Sequence, residues 1–452
     1  MSTLKMLAVG LVAICMASAG IAAERPNVVL FMADDLGVEC LSSYGCLDYQ
    51  TPHLDALAAS GARFTHAYSQ PLCTPSRVQI MTGKYNFRNY PEFGHLSPDE
   101  TTFGDLLRSA GYHTSVAGKW QLSGSGKQYP EKTDPADWGF NEHCLWQLNN
   151  RAPYGNRGSR YWDPYLEQNG QVLQPGPDAY GPDVVAEHVL SFIERNRDQP
   201  FFAYYPMILT HNPFDPAPRP GSRGNQNVRY FKDMVEHMDA IVGRVVDKLE
   251  ELNLRDNTLV IFTGDNGTNK GVSTRTTAGV IRGGKGTTTN AGTHVAFIVS
   301  WPGRIEPGTT TDRLVDFTDV LPSLLAATGT QAPADFKTDG VPFLDANGLS
   351  QQQREFTYCW YEPRHGANAA RNNAAFARDR QFKLYLDGRF FDVSKTPLEE
   401  KGDELTGELS SEAAAAKKKL QSVIDRYAAE GGVTEAGVEN SSRSRERRNR
   451  DD

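Results

Sequence analysis

Apolar residues in this chain gather into short uninterrupted runs, separated by longer stretches of helical period. Val28–Ala33, Phe201–Ile208, Leu259–Thr263 and Val295–Ser300 read as buried strands. Thr102–Ser109, Asp183–Arg195, Arg229–Leu252 and Asp319–Ala327 carry the amphipathic spacing of helices. Continuous apolar strands alternating with helices predict an α/β fold, a large mostly parallel sheet sandwiched by helices. In such sheets ligands bind beyond the carboxyl ends of the strands, so the residues following each strand matter most.

After about residue 350 the texture changes. Phe376–Leu386 and Arg389–Val393 flank Asp387-Gly388, a hairpin signal. The helical segment Ser411–Ala429 follows, predicting a smaller α+β subdomain over 351–432 behind a catalytic domain over 24–350. Residues 433–452 end in a stretch without apolar residues, expected to be a disordered tail. At the other end, Lys5 precedes an apolar run and then Ala22-Ala23, the layout of a signal peptide over 1–23. Export to the periplasm or beyond is expected, without a stable membrane anchor, because Gly10, Ser18 and Gly20 interrupt the run.

Composition adds exclusions. Hydrophobic residues make up 39% and charged residues 23%, as in an ordinary globular protein. A net charge of −8 leaves no basic surplus for nonspecific binding of nucleic acid. Export permits disulfides among the cysteines, but spacing does not choose a pairing, and no CxxC or histidine cluster suggests zinc.

The chemistry sits at the strand exits. Val28–Ala33 runs into Asp34-Asp35, Leu259–Thr263 into Gly264-Asp265-Asn266-Gly267, and Phe201–Ile208 into Thr210-His211-Asn212. Adjacent carboxylates repel, and Asp and Asn oxygens without clustered His or Cys suit a hard cation, Ca²⁺ or Mg²⁺. Each exit taken alone is an ordinary turn or helix cap. Two such exits in one sheet favour a metal site.

The segment Cys73-Thr74-Pro75-Ser76-Arg77, continued to Thr82-Gly83, resembles the C-x-P-S-R-x4-T-G signature of type I sulfatases in the alkaline phosphatase superfamily. Gly111-Tyr112-His113-Thr114 to Gly118-Lys119-Trp120 is similar to the family's second signature, and the likeness extends to Arg282–Gly286 and Val295–Gly303. The resemblance implies an alkaline phosphatase-like fold and hydrolysis of a sulfate ester, on a sulfated glycan or an aryl or alkyl sulfate. It implies that a maturation enzyme converts Cys73 to formylglycine, whose hydrate is the nucleophile. It further implies that Asp34, Asp35, Asp265 and Asn266, with residue 73, ligate Ca²⁺ or Mg²⁺. Arg77 would hold the aldehyde hydrate, Lys119 would bridge nucleophile and sulfate, and His211 and Lys285 would line the sulfate and the leaving-group oxygen.

One position departs from the pattern. After Lys119-Trp120 many members place a histidine, whereas this chain has Gln121, which can donate a hydrogen bond to sulfate but no proton. Two other functions stay open at this stage. One is a formylglycine-dependent phosphodiesterase or phosphonate hydrolase; the other is a non-catalytic glycan-binding paralogue.

Overall fold

The computed structural model describes residues 25–124, 134–148, 159–176, 178–218, 226–363 and 373–432. The expected signal peptide and tail lie outside these residues. No helix among the described residues is long and apolar enough to cross a membrane.

The first strands are β1 (Asn27–Ala33), β2 (Ala62–Tyr68), β3 (His113–Lys119), β4 (Glu142–Trp146), β5 (Glu167–Gln168) and β6 (Gln171–Val172). Next come β7 (Phe201–Pro206), β8 (Thr258–Gly264), the hairpin β9 (Ser273–Thr276) and β10 (Gly279–Arg282), β11 (Phe297–Ser300) and β12 (Thr309–Asp316). All but the hairpin join one ten-stranded sheet in the order β12-β2-β11-β8-β1-β7-β3-β4-β5-β6. Only β11 and β5 oppose the common direction, so the sheet is mixed but mostly parallel.

Period-2 alternation divides β1 between two cores. Val28, Leu30 and Met32 enter one; Val29, Phe31 and Ala33 enter the other. The second core is covered by α1 (Pro52–Ala59), α5 (Gly181–Arg195) and α6 (Phe231–Glu251). The first is covered by α2 (Cys73–Thr82), the short α3 (Asn86–Asn89), α4 (Phe103–Ser109) and α8 (Val320–Thr328). The one-turn α7 (Asn290–Thr293) lies in the connection to β11. Helices therefore cover both faces, as the apolar pattern predicts.

After α8, the small pair β13 (Leu344–Asp345) and β14 (Gly348–Leu349) leads to a second, antiparallel sheet. It contains β15 (Thr357–Tyr361), β16 (Ala374–Arg378), β17 (Phe382–Tyr385) and β18 (Phe390–Asp392), and α9 (Ser411–Ala429) packs on it. Leu420, Ile424 and Tyr427 of α9 join the first core, so this sheet is continuous with the main one in packing.

One expectation changes here. The run Phe376–Leu386 is not one strand: it breaks at Asp379, whose carboxylate accepts from the backbone N–H of Gln381 and Phe382 and turns the chain. The helix carrying Ser76 and Arg77 begins at Cys73 itself.

Candidate active site

The loops leaving β1, β7 and β8 are laced together by their backbones. Asp34 N–H donates to Leu209 O at 2.8 Å, Thr210 N–H to Asp34 O at 2.7 Å, and Asp265 N–H to Ala33 O at 2.8 Å. These bonds converge the carboxylates of Asp34, Asp35 and Asp265, all 0% exposed. Asp35 N–H donates to Asp265 Oδ1 at 3.0 Å, and Asn266 Nδ2 to Asp35 Oδ1 at 2.9 Å.

Cys73 opens α2, a helix whose ten residues are all buried. Its entry is fixed by Ser76, whose Oγ accepts from Gln70 N–H and donates to Gln70 O. Its exit needs Gly83, which has φ +68 and no room for a Cβ, 2.8 Å from Thr338 Oγ1. The Thr-Gly of the signature thus ends the helix that Cys73 opens. Arg77, one turn inside, donates to Asp265 Oδ2 at 2.8 Å and to Lys119 O at 3.0 Å.

Lys119 ends β3, and its ammonium donates to both oxygens of Asp34 at 2.8 Å. Gly118 before it has φ +125, and a Cβ there would lie 1.9 Å from Pro206 O, so only glycine lets β3 close on β7 at this point. Lys285 comes from the loop after β10 and donates to Asp35 Oδ2 at 2.7 Å. His211 Nε2 is 3.7 Å from the same oxygen. Gln121, half-buried and with φ +58, turns its Oε1 to Cys73 Sγ and Thr74 Oγ1, both at 3.1 Å. All ten residues singled out in the sequence therefore meet in one cluster.

The cluster is graded from floor to mouth. Asp34, Asp35, Asp265, Asn266, Cys73, Arg77 and Lys119 are buried; His211, Gln121 and Lys285 form a half-buried rim. Burial would raise the Asp34 carboxyl, but Lys119, His211, Arg77 and Lys285 together hold it well below the usual range. Burial also works against Asp35, which Lys285 and His211 pull down. Burial and the neighbouring Asp34 push Asp265 up to about 7. Burial presses the His211 imidazole down to about 4, against the pull of Asp35 and Asp34. Burial raises the Cys73 thiol, so as a thiol it is no ready nucleophile.

These residues fit a hard divalent cation. Ligand atoms of Asp34, Cys73 and Asp265 lie within 4.8 Å of one another, as do those of Asp34, Asp35 and His211. Asn266 Oδ1 is buried without a hydrogen-bond partner, an acceptor awaiting a donor or a cation. Against burial, Arg77 and Lys119 leave the Asp265 carboxyl raised, and a further positive charge among these oxygens would favour its ionised form.

Arg160 escapes the sequence reading. Its Nη1 lies 2.7 Å from His211 Nδ1, and its guanidinium stacks 4.0 Å from the Trp146 ring. Nothing marks its role individually, since its partner His211 lies 51 residues further along the chain. It lies at the end of the aromatic and arginine-rich stretch 149–162, of which 149–158 fall outside the described residues.

A doubly covered, mostly parallel sheet with an acidic cluster and basic rim at its carboxyl edge has its candidate site where α/β enzymes hold their ligands. The family model described as Sulfatase matches residues 26–330, and that described as N-sulphoglucosamine sulphohydrolase, C-terminal, matches 285–423. The chain is 36% identical to arylsulfatase A of Bos taurus over 374 residues, covering 75% of this chain and 72% of that one. It is 33% identical to N-acetylgalactosamine-6-sulfatase of Canis lupus familiaris over 358 residues, covering 72% of this chain and 66% of the relative. The solved structure of Ps i-CgsB shares the fold with a TM-score of 0.73 at 24% identity, covering 89% of this chain and 93% of that one. The chain belongs to the sulfatase family, whose members generally use a metal ion and a formylglycine.

Proposed function

We propose that this protein is an exported sulfatase that removes sulfate from a sulfated saccharide, with Cys73 matured to formylglycine and Ca²⁺ or Mg²⁺ at the acidic cluster. The observation carrying this reading is the placing of Cys73 at the start of a buried helix, between that cluster and the cations Lys119 and Lys285. The saccharide follows from the similarity to N-acetylgalactosamine-6-sulfatase.

A formylglycine hydrate at 73 would supply two hydroxyls on one carbon, one to displace the alcohol from sulfur and the other to collapse to the aldehyde as the C–O bond to inorganic sulfate breaks. A hard cation would be held by Asp34, Asp35, Asp265, Asn266 and residue 73, and would supply Lewis-acid polarisation of the sulfate. Arg77 and Lys119 fix the nucleophile's position, Arg77 through its bond to Asp265. Lys119 and Lys285 place positive charge where negative charge grows on the sulfate, in a site with little water to screen it. His211 at the rim carries an N–H toward the departing alcohol, and the Gln121 amide holds the residue-73 side from the other rim.

Three measurements on one preparation test this. The purified protein should release sulfate from defined 6-sulfated hexosamines and from an aryl sulfate. It should prefer these to the matching phosphates, and Cys73→Ala should reduce release to background. The mass of the peptide containing residue 73 should show oxidation of thiol to aldehyde. Full turnover with a demonstrable thiol at 73, or faster hydrolysis of the phosphate, would overturn the reading.

A further inference from the structure

The wall behind the active site is made by the C-terminal sheet, and it contains a buried ion pair that touches no part of the reaction. Lys383 of β17 and the Glu399 side chain are 0% and 2% exposed, with Nζ donating to Oε1 at 2.8 Å. The same ammonium donates to the backbone oxygen of Thr288 and lies 4.0 Å from the Phe376 ring centre. Tyr385 completes the group: its hydroxyl donates to Glu399 Oε2 at 2.6 Å and lies 3.1 Å from Thr288 Oγ1. A strand away, Arg378 donates to Asn290 Oδ1 at 2.6 Å.

What these side chains grip is the loop that carries Lys285. That loop is closed on itself by Gly284 N–H to Ala291 O at 3.1 Å and by Thr287 Oγ1 to Gly284 O at 2.7 Å. It is moored to the nucleophile's loop by Gly286 N–H to Pro71 O at 2.8 Å, and to the β8 exit by Lys285 N–H to Thr268 O at 3.0 Å. Thr288, three residues from Lys285, is the point where the C-terminal sheet takes hold.

Burying a charge is expensive, and an apolar pair of similar volume is often as stable. Burial indeed drags Lys383 down to about 8 against the pull of Glu399. A compact amine aimed at a backbone carbonyl supplies what an apolar side chain lacks, a fixed direction.

We propose that Lys383, oriented by Glu399 and Tyr385, is a positioning residue of the reaction: it fixes Thr288 and thereby sets the Lys285 ammonium against Asp35 and residue 73. The inference rests on the sulfatase reading. It assigns the C-terminal sheet a share in catalysis without contact with the substrate.

The test is a set of double-mutant cycles on an aryl sulfate. Lys383→Met should lower kcat about 10–100-fold, the usual cost of losing a partner that orients a working group, with KM nearly unchanged. In a Lys285→Ala background the same change should cost no more than about twofold, because the residue it positions is already gone. A merely structural lysine would exact its full cost in both backgrounds, and that result, or an unchanged kcat in the single variant, would overturn the proposal. Should Lys383→Met not fold, Tyr385→Phe reads the same coupling with a smaller loss. A wild-type protein that released no sulfate would instead remove the sulfatase reading. Amide exchange would then decide the clamp: faster exchange confined to 284–293 in Tyr385→Phe supports it, and unchanged exchange overturns it.

Discussion

Lys119 and Lys383 are both buried lysines that face a carboxylate, and their surroundings differ in one respect. Around Lys119 the acceptors are in surplus. Asp34 takes both its bonds, Arg77 serves Asp265, and yet burial and Asp34 leave Asp265 pushed up to about 7, with Asn266 Oδ1 unpartnered. Around Lys383 each Glu399 oxygen has its own donor, and the ammonium also serves Thr288. The first cluster is arranged to receive something positive; the second is closed and can only hold. An open set of buried acceptors marks a binding site, whereas a satisfied one marks a fixed geometry.

The largest expected effect tests the open cluster. Removing divalent ions should abolish turnover, and adding back Ca²⁺ or Mg²⁺ should restore it. The same ion should raise the unfolding temperature, since saturation at about a hundredfold excess over Kd stabilises by about 2.7 kcal/mol. Asp265→Asn keeps a partner for Arg77 but should lose both the activity and the ion-dependent rise in Tm. A rise of equal size in the variant would show that the ion binds elsewhere, and the contrast between the two clusters would fall.

The closed cluster should respond in the opposite sense. Glu399→Gln leaves a buried ammonium unmatched and should cost about 3–5 kcal/mol of stability near pH 6, with no change in the Ca²⁺ response. Among the described residues, Glu399, Arg378 and Cys359 are the ionisable groups that act on Lys383, and the Tyr385 ring centre lies 4.8 Å from its ammonium. Its folded-state value of about 8 lies below its ordinary 10.5, so between those pH values the unfolded chain holds more protons and stability rises with pH. Lys383→Met should lack that rise. Denaturant unfolding at pH 6, 8 and 10 measures both effects, and a pH-independent cost for Glu399→Gln would argue that Lys383 stays charged throughout.

The same contrast explains what the sequence could and could not reveal. The open cluster sits at the ends of β1 and β8, whose unbroken apolar runs announce both the strand and its exit. Cys73 and Lys119 were recoverable from motif resemblance, although their elements were not equally visible. Strand β3 hides because its polar residues are satisfied inside: Thr114 Oγ1 donates to Gly139 O at 2.6 Å, and Ser115 Oγ lies 3.2 Å from His188 Nε2. Helix α2 lacks an amphipathic period because every face is buried. The Lys383 clamp and Arg160 leave no local trace, since their partners lie 95 and 51 residues away in the chain. Long-range pairing between polar residues is the part of a fold that hydrophobic pattern does not encode.

The smallest effect separates the two rims of the mouth. An alkoxide leaving a sugar ring is strongly basic, so its departure needs a proton, and a positioned acid typically contributes about 10²–10⁴-fold. Gln121 cannot supply it; His211 can, though burial holds its imidazole down to about 4 against the pull of Asp35 and Asp34, and a bound sulfate would add to that pull. The His211→Ala loss should therefore be large on a sugar sulfate and shrink sharply on nitrophenyl sulfate, whose phenolate leaves unaided. Equal losses on both would remove His211 as the acid and point to Lys119 or Lys285. Gln121 has a different task, since its Oε1 takes the Cys73 and Thr74 side chains and leaves the amide N–H₂ to donate. Gln121→Ala removes hydrogen bonds and no proton donor, which is worth about 1–3 kcal/mol, and the loss should be the same on either leaving group. Paired kcat/KM values for the two variants on the two substrates form a square of four ratios. A Gln121 penalty that grew with leaving-group basicity would place that side of the mouth, not the His211 side, next to the departing oxygen.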